Sequence, residues 1–257
     1  MEFIRKVGGV TLGFFQDVGK VSNFSFIAIK AMISSPIYFS EIVQNFIRIG
    51  FFSIPVVGMT AIFTGAVLVL QTYTGFSRFA GESTIPTVVV ISITRELGPV
   101  LAGLMVAGRV GSSIAAEIAT MKVSEQLDAL RTLAVNPFRY LVVPRLIACT
   151  LTLPLLVLIA DIIGIFGGYV VATGKLNFNK ALYLSNTVAY LQAEDVISGL
   201  VKAAIFGFII AISGCYSGYN ADQGAESVGT ATINAVVMSS VLILFFNYIT
   251  TQIFFAT

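Results

Sequence analysis

The sequence predicts an all-α integral membrane protein, and three observations support this fold class. Of the 257 residues, 56% are hydrophobic and only 11% are charged, and the mean hydropathy is +0.92, whereas soluble domains carry about 25% charged residues. Apolar residues form runs of about 20, the length that a helix needs to cross a bilayer. The charges are concentrated between these runs. We therefore expect a single membrane domain over residues 1–257.

Five runs are long and apolar enough to form spanning helices. In chain order they are Ile49–Gln71, Ile85–Gly108, Leu146–Val171, Val196–Tyr216 and Ala231–Phe255. Small residues spaced four apart, which allow helices to approach closely in lipid, occur in the second, third and fourth spans. These pairs are Gly103/Ala107, Gly164/Gly168, Gly207/Ala211 and Gly214/Gly218. The pattern predicts a packed five-helix bundle over residues 48–257.

The segment before the first span, residues 1–47, has a different character. Its later apolar residues recur at helical spacing between polar ones: Tyr38, Phe39, Ile42, Val43 and Phe46. This spacing predicts an amphipathic helix in the membrane interface, with a soluble amphipathic helix as the alternative. Ser34-Ser35-Pro36 is expected to interrupt the segment in either case.

Lysine and arginine predict the orientation, because they are enriched in cytoplasmic segments. The N-terminal region carries Arg5, Lys6, Lys20, Lys30 and Arg48. The segment between the second and third spans carries Arg109, Lys122, Arg131, Arg139 and Arg145. The intervening 72–84 segment has only Arg78. We therefore expect a cytoplasmic N-terminus and, after five spans, a C-terminus on the opposite side, although the acidic 218–230 segment fits this less well.

Charged residues inside the spans are candidate functional residues, since one at the bilayer centre costs at least about 2.5 kcal/mol. Arg95 and Glu96 lie near the middle of the second span. Adjacent helical residues point about 100° apart, so the two need not pair with each other. They either form ion pairs between helices or line a polar cavity. Lys202 either pairs with Asp161 or, as we favour, snorkels to the interface, and the role of Asp161 stays open.

A short helix is expected between Arg109 and Arg145. Ser124 is a candidate N-cap with Glu125 favourable in the first turn, and Asn136-Pro137 is expected to end the helix. An apolar stripe runs along it, consisting of Leu127, Leu130, Leu133 and Ala134. The stripe suits a docking site for a soluble partner or packing under its own bundle.

Most enzymatic functions are disfavoured. Histidine, the commonest general base and metal ligand, is absent, and Cys149 and Cys215 lie inside apolar runs. The segment Gly168–Lys175 has the wrong glycine spacing for a phosphate-binding loop and is followed by Leu176 instead of Ser or Thr. We expect no catalytic residue, metal or cofactor, and the net charge of +2 gives no reason to expect nucleic-acid binding.

Two functional classes can be weighed from the residues alone. A secondary transporter would use Arg95, Glu96, Asp161 and Lys202 as an ion or proton relay. An intramembrane lipid-modifying enzyme would need a nucleophile or metal site, and no such constellation is recognisable in the sequence.

Several short runs resemble those of one family. They are Arg95-Glu-Leu-Gly-Pro99, Ala107-Gly-Arg109, Ala116-Glu-Ile118 with Met121, Glu125-Gln-Leu127, Ala134-Val-Asn-Pro137 and Pro144-Arg145. With the five-span layout, these runs resemble the MlaE/YrbE permeases of ABC systems that move phospholipids between the membranes of Gram-negative bacteria. The resemblance covers nearly the whole chain and is most specific in residues 95–145.

This resemblance implies an MlaE-type fold with an N-terminal interfacial elbow helix, five transmembrane helices and a lipid cavity at a homodimer interface. The implied lipid path consists of Leu68, Gln71, Tyr73, Phe76, Phe79, Arg95 and Glu96. The 124–134 helix, within a segment near 111–137, would be the coupling helix that contacts the ATPase. Its implied contact residues are Glu125, Gln126, Leu127, Asp128 and Leu130.

The resemblance also implies the partners and the membrane. They are a second copy of the chain, two ABC ATPase subunits, a periplasmic MCE-type lipid-binding protein and phospholipid. The expected location is the bacterial inner membrane, with the N-terminus in the cytoplasm and the C-terminus in the periplasm.

Overall fold

The structure, a computed structural model, describes residues 2–34, 38–76 and 82–255, which are almost entirely helical and include no strand. The helices are α1 (Glu2–Ile33), α2 (Phe39–Phe76), α3 (Ile85–Val123), α4 (Gln126–Thr132), α5 (Phe138–Gly174), α6 (Lys180–Tyr190), α7 (Ala193–Tyr219) and α8 (Ala225–Phe255). Wider π-helical turns occur within α3 at Ile93–Leu97 and Ala107–Gly111, and Phe138–Val142 forms another at the start of α5.

Five helices, α2, α3, α5, α7 and α8, are long and apolar enough to cross a membrane. This confirms the predicted all-α membrane fold, and each helix contains one predicted span. The second span was predicted to end at Gly108, but α3 continues to Val123. The charge of Arg109 does not end the helix, because its guanidinium donates to the hydroxyl of Ser53 on α2 at 2.7 Å.

The first spanning helix begins earlier than predicted. The apolar residues assigned to an interfacial helix, Phe39 to Phe46, form the first turns of α2. Nothing between Phe39 and Ile49 interrupts helical hydrogen bonding, so one helix includes both segments. The predicted break at Ser34-Ser35-Pro36 falls between α1 and α2, and residues 35–37 lie outside the described part of the chain.

The N-terminal helix α1 is docked on the bundle. Phe24 is only 6% exposed. Its ring centroid lies 5.0 Å from that of Phe138, 5.6 Å from that of Tyr216 and 5.9 Å from that of Tyr219. Aromatic pairs at these separations stabilise beyond the burial of their surface. The contacts attach α1 to the end of the bundle that bears α4.

Small residues bring the spanning helices into backbone contact, as their spacing predicted. A Cβ atom on Gly65 of α2 would lie 1.9 Å from the carbonyl oxygen of Gly164 on α5, and one on Gly207 of α7 would lie 2.4 Å from that of Cys149. Without a hydrophobic force between helices in lipid, such close packing drives their association. Helix α7 packs against α3, α5 and α8 and is the most buried span.

At the opposite end of the bundle lies α6, which the sequence analysis did not predict. The Asn179 side chain caps it by accepting from the backbone N–H groups of Ala181 and Leu182 at 3.0 and 3.2 Å. Tyr183 is 2% exposed among apolar residues of α2, α3 and α5, and its hydroxyl has no hydrogen-bond partner among the described residues.

We predict that Gly65→Ala destabilises the bundle. The added methyl group would overlap a backbone oxygen, which cannot rotate away, so α2 and α5 must separate at an expected cost of about 1–3 kcal/mol. Thermal unfolding in detergent should show a Tm several degrees lower. The matched control is Gly75→Ala in the same helix, where nothing lies within 4 Å of the added atom. Equal Tm values for Gly65→Ala and the wild type would contradict the close contact.

We also predict that Tyr183→Phe alters the stability at high pH. Burial raises the pKa of Tyr183 to about 12, above its unfolded value of about 10. Between these values the unfolded chain releases the phenolic proton while the folded chain keeps it, so stability falls as the pH rises. The variant lacks the phenol, so its stability should not show the part of the decrease between about pH 10 and 12 that Tyr183 causes. Near neutral pH the variant should be as stable as the wild type, because the hydroxyl that it lacks makes no hydrogen bond in the described structure.

The measurement is the difference in Tm between wild type and variant across this pH range. A difference that does not change between pH 10 and 12 would contradict the burial of the hydroxyl.

Candidate functional site

A buried lysine organises the polar side chains of the bundle. The ammonium of Lys202 on α7 is 0% exposed and donates to a Glu96 carboxylate oxygen at 2.7 Å. It also donates to the backbone carbonyl of Arg95 and to the hydroxyl of Thr251, both at 2.8 Å. All three donors of the ammonium are thus used. The predicted snorkelling of Lys202 is wrong, since these acceptors satisfy its charge inside the bundle, and its carboxylate partner is Glu96 rather than Asp161.

Glu96 connects three helices through both carboxylate oxygens. One oxygen accepts from Lys202 and from the Thr251 hydroxyl at 2.8 Å, and the other accepts from the Asn247 amide at 2.8 Å. Asn247 and Thr251 are one turn apart on α8, so they face the carboxylate together. The contacts fasten α3 to α7 and α8.

Arg95 points to a different partner, which the separation of about 100° between adjacent helical residues allows. Its Nε donates to Asp195 of α7 at 2.6 Å, and Asp195 is 0% exposed. The other Asp195 oxygen accepts from the backbone N–H of Gln192 at 3.2 Å and caps the first turn of α7. The Arg95 guanidinium also lies 4.2 Å from the ring centroid of Phe255, within the range of a cation–π contact.

The first π-helical turn positions these two side chains. Arg95 and Glu96 lie within Ile93–Leu97, where the backbone N–H of Gly98 bonds to the carbonyl of Ile93. Gly199 lets α7 contact this turn, since a Cβ atom there would lie 2.6 Å from the Thr94 carbonyl oxygen. Single π-helical turns occur frequently at functional sites.

The network has balanced charges and remains partly accessible. Arg95 and Lys202 oppose Glu96 and Asp195, two cations against two anions. The side chains of Arg95 and Glu96 are 31% and 37% exposed, whereas their partners are buried. The charges therefore form ion pairs between helices, as one of the two interpretations predicted, and one side of Arg95 and of Glu96 is exposed.

Asp195, Asn247 and Thr251 were not identified from the sequence. Asp195 carries a signal, because Gln192 and Asp195 have the spacing of a capping box. Asn247 and Thr251 are four apart in a span that contains further Ser, Thr, Asn and Gln residues. Such residues also bond to the backbone of their own helix, so the spacing alone does not identify a contact between helices.

Asp161 lies apart from this network. It is 6% exposed on α5, and its Oδ1 atom has no hydrogen-bond partner within the described residues. A Cβ atom on Gly98 would lie 1.9 Å from that oxygen, so the absent side chain of Gly98 makes room for the carboxyl. The proposed relay through Arg95, Glu96, Asp161 and Lys202 therefore does not form one hydrogen-bonded cluster. Among the described side chains, no three His, Cys, Asp or Glu residues come close enough to hold a metal ion.

An apolar groove lies on α2 beside this region, with an open volume of about 630 Å³. Two residues of the expected lipid path, Leu68 and Gln71, line it together with Leu97, which directly follows Glu96 in α3. Tyr73 faces another direction, and its ring centroid lies 6.0 Å from that of Phe178. Phe76 is 38% exposed at the end of α2, and Phe79 lies outside the described residues.

The short helix α4 lies at the other end of the bundle. Ser124 is not its N-cap, since the Ser124 hydroxyl donates to the carbonyl of Thr120 and Glu125 occupies the cap position with a left-handed φ of 59°. The helix ends at Thr132, before the predicted Asn136-Pro137 stop, because Leu133 and Ala134 leave the helical conformation and Ala134 has φ 58°.

Only some of the residues expected to contact an ATPase are exposed on and beside helix α4. Leu127 is 4% exposed and Leu130 packs partly buried against the core of the bundle, so the apolar stripe packs under its own bundle at these positions. Glu125, Gln126 and Asp128 are exposed. Arg131, bonded to Asp128 at 3.0 Å and to the Tyr219 hydroxyl at 2.5 Å, ties α4 to α7.

Comparison with known families gives one match over most of the chain. The family model described as Permease MlaE matches residues 42–253. A probable ABC transporter permease protein of Rickettsia felis is 60% identical over 255 residues, which cover 99% of this chain and 98% of the relative.

Two more distant relatives have names that describe a process or a compartment. The intermembrane phospholipid transport system permease protein MlaE of Haemophilus influenzae is 31% identical over 261 residues, covering 99% of this chain and 98% of the relative. The chloroplastic protein TRIGALACTOSYLDIACYLGLYCEROL 1 of Arabidopsis thaliana is 34% identical over 224 residues, covering 87% of this chain and 64% of the relative.

We predict that Lys202→Met lowers the stability by about 3 kcal/mol, because it leaves Glu96 and Thr251 without their cation. The double variant Glu96→Gln/Lys202→Met should recover most of the loss, since it removes both charges. Thermal unfolding in detergent measures both effects. The control is Lys180→Met at the exposed start of α6, which should change Tm little. A double variant that is no more stable than Lys202→Met would contradict the pairing.

Proposed function

Because this chain belongs to the MlaE permease family and is the permease of an ABC transporter, we propose that it moves phospholipid between the bacterial inner membrane and a periplasmic MCE-type carrier. The relative from Haemophilus influenzae is named as part of an intermembrane phospholipid transport system, and its similarity extends along nearly the whole chain. This chain would supply the binding surface and the path, and a separate ATPase would supply the energy.

The apolar groove on α2 is the observation that carries this proposal. The part of its open volume that a small molecule can occupy, about 370 Å³, is within the range of small-molecule sites, about 300–1,000 Å³. Phe63, Val67 and Leu68 offer apolar surface for an acyl chain, and the Gln71 amide stands at one end of the groove. Through Leu97 the groove adjoins the turn that carries Arg95 and Glu96, whose exposed sides would meet the polar headgroup.

A second copy of the chain would close the groove. Apart from Leu97 of α3, the residues that line the groove all belong to α2, and the groove is widely open on the side away from them. The outward faces of α2 and α8 carry large exposed apolar residues, which permit either lipid contact or helix pairing. A homodimer would place two grooves against each other and enclose the lipid.

Two ATPase subunits would dock on α4, one for each copy. The exposed Glu125, Gln126 and Asp128 would make polar contacts with the ATPase, while Leu127 and Leu130 anchor α4 in the bundle. A displacement of α4 would therefore move α3 and α7 rather than bend a loose loop. The distribution of lysine and arginine supports a cytoplasmic location for α4 and the N-terminus, with the C-terminus and the MCE-type partner on the periplasmic side.

We predict that Asp128→Lys strongly reduces ATPase binding. A like charge placed in a protein interface costs several kcal/mol, so the recovered ATPase should fall by about tenfold or more. The measurement is purification of the tagged chain from a bacterial inner membrane in mild detergent, with co-purifying proteins and lipids quantified by mass spectrometry. The wild type should bring a separate ATPase, an MCE-type protein and phospholipid.

The control is Glu194→Lys, an exposed acidic residue at the opposite end of the bundle, which should leave ATPase recovery unchanged. Wild-type ATPase recovery with Asp128→Lys would remove the docking role of α4. A wild-type chain that purifies without ATPase and without lipid would contradict the proposed function and favour a gradient-driven transporter.

A further inference from the structure

A polar cavity, distinct from the apolar groove on α2, lies at the end of the bundle that bears α4. It is formed by the first turns of α2 and by α3 from Arg109 onward, and its open volume is about 580 Å³. Asn45 and Arg48 line it from α2, and Arg109, Ser113 and Glu117 line it from α3. Arg48 is 23 residues from Gln71 along α2, about 35 Å at 1.5 Å per residue. The cavity is therefore separate from the groove and from the Lys202 network.

The charges around this cavity are not balanced. Two cations, Arg48 and Arg109, and one anion, Glu117, line the cavity, and a third cation, Arg145 of α5, pairs with Glu117. Glu117 forms ion pairs with Arg48 and with Arg145, the latter at 3.0 Å. Three cations and one anion leave an excess of positive charge. This contrasts with the Lys202 network, where cations and anions are equal in number.

Among the arginines of this cavity, Arg109 carries a charge that no carboxylate of the described residues balances. It lies in the second π-helical turn of α3, Ala107–Gly111, and is partly buried. Its guanidinium donates to the neutral hydroxyl of Ser53 at 2.7 Å and lies 5.9 Å from the ring centroid of Phe52. No carboxylate of the described residues lies within 4.0 Å of it. A partly buried arginine with a neutral partner favours an anion from outside the chain.

The shape and lining of the cavity point to a phosphate group attached to an apolar molecule. Guanidinium groups bind phosphate oxygens through two parallel hydrogen bonds, and the exposed Ser113 hydroxyl adds a donor. Ile49, Phe52 and Ile114 form apolar walls beside the two arginines.

From Phe52 an apolar stripe follows one face of α2 towards the groove. Its members recur at intervals of three and four residues and are all exposed: Phe52, Val56, Met59, Phe63 and Val67. Residues at this spacing share one helix face. The stripe therefore connects the cavity at one end of α2 with the groove at the other end.

We propose that this cavity binds the phosphate group of an anionic phospholipid in the leaflet at the α4-bearing end, with the acyl chains along the α2 stripe. The proposal rests on the proposed function for the identity of the ligand as a transported lipid. Arg109 and Arg48 hold the phosphate, and Ser53 orients Arg109. The lipid path then has a headgroup site at each end of α2.

The test uses the full chain, purified in detergent without the ATPase, and a photoactivatable phosphatidylglycerol whose cross-links are mapped by mass spectrometry. Cross-links are expected both in the cavity, at residues 45–52 and 109–117, and in the groove, at residues 63–71. Arg109→Gln should reduce cavity labelling by about tenfold, the effect of losing a charge-assisted hydrogen bond, and leave groove labelling unchanged. Arg48→Gln, at a 60% exposed side chain that tolerates substitution, should lower cavity labelling in the same direction.

The control variant is Arg131→Gln, which removes an exposed arginine from α4 at the same end and should leave cavity labelling unchanged. Unchanged cavity labelling in both Arg109→Gln and Arg48→Gln, or an equal loss in the control, would overturn the proposal. An unlabelled cavity in a wild-type chain that binds inorganic phosphate by isothermal titration calorimetry, with that binding lost in Arg109→Gln, would overturn the lipid assignment and identify a free phosphate as the occupant. Groove labelling without cavity labelling would defeat this inference alone, whereas absence of both would also defeat the proposed function.

Discussion

A fully buried ammonium group has to be surrounded by acceptors, and this requirement determines much of the bundle. Lys202 takes its three acceptors from α3 and α8, so α3, α7 and α8 must meet at one level. An unpaired cation in this position would cost several kcal/mol. The network is therefore first of all a contact that holds three helices together. It is partly exposed at Arg95 and Glu96, where we propose that it meets the lipid headgroup.

One local departure from regular helix and one glycine make this contact possible. A π-helical turn carries Arg95 and Glu96, and Gly199 allows α7 to contact that turn through the backbone. A second π-helical turn, further along α3, carries Arg109, which lines the polar cavity. In both places a wider turn carries an arginine within a spanning helix, so the same local geometry supplies a polar side chain at two levels of α3.

The five spans were predictable because runs of about 20 apolar residues have few alternatives in a bilayer. Helix ends were less predictable, since Arg109 donates to Ser53 inside the bundle and α3 continues past it. The partner of Lys202 was missed because Glu96 is 106 residues away, and no local pattern encodes such a contact. The start of α4 was misassigned because Glu125 adopts a left-handed conformation that its residue type does not favour. The amphipathic α6 was too short to stand out by periodicity.

The equal numbers of positive and negative groups around Lys202 have an electrical consequence. One elementary charge that crosses the membrane potential exchanges about 2.3 kcal/mol per 100 mV. A cluster of Arg95, Lys202, Glu96 and Asp195 that moves as one body carries no net charge, so it performs no net electrical work. Rearrangements of α3, α7 and α8 in which these four side chains move together therefore gain no voltage dependence from them. The free energy of such a movement does not change with the membrane potential through these charges.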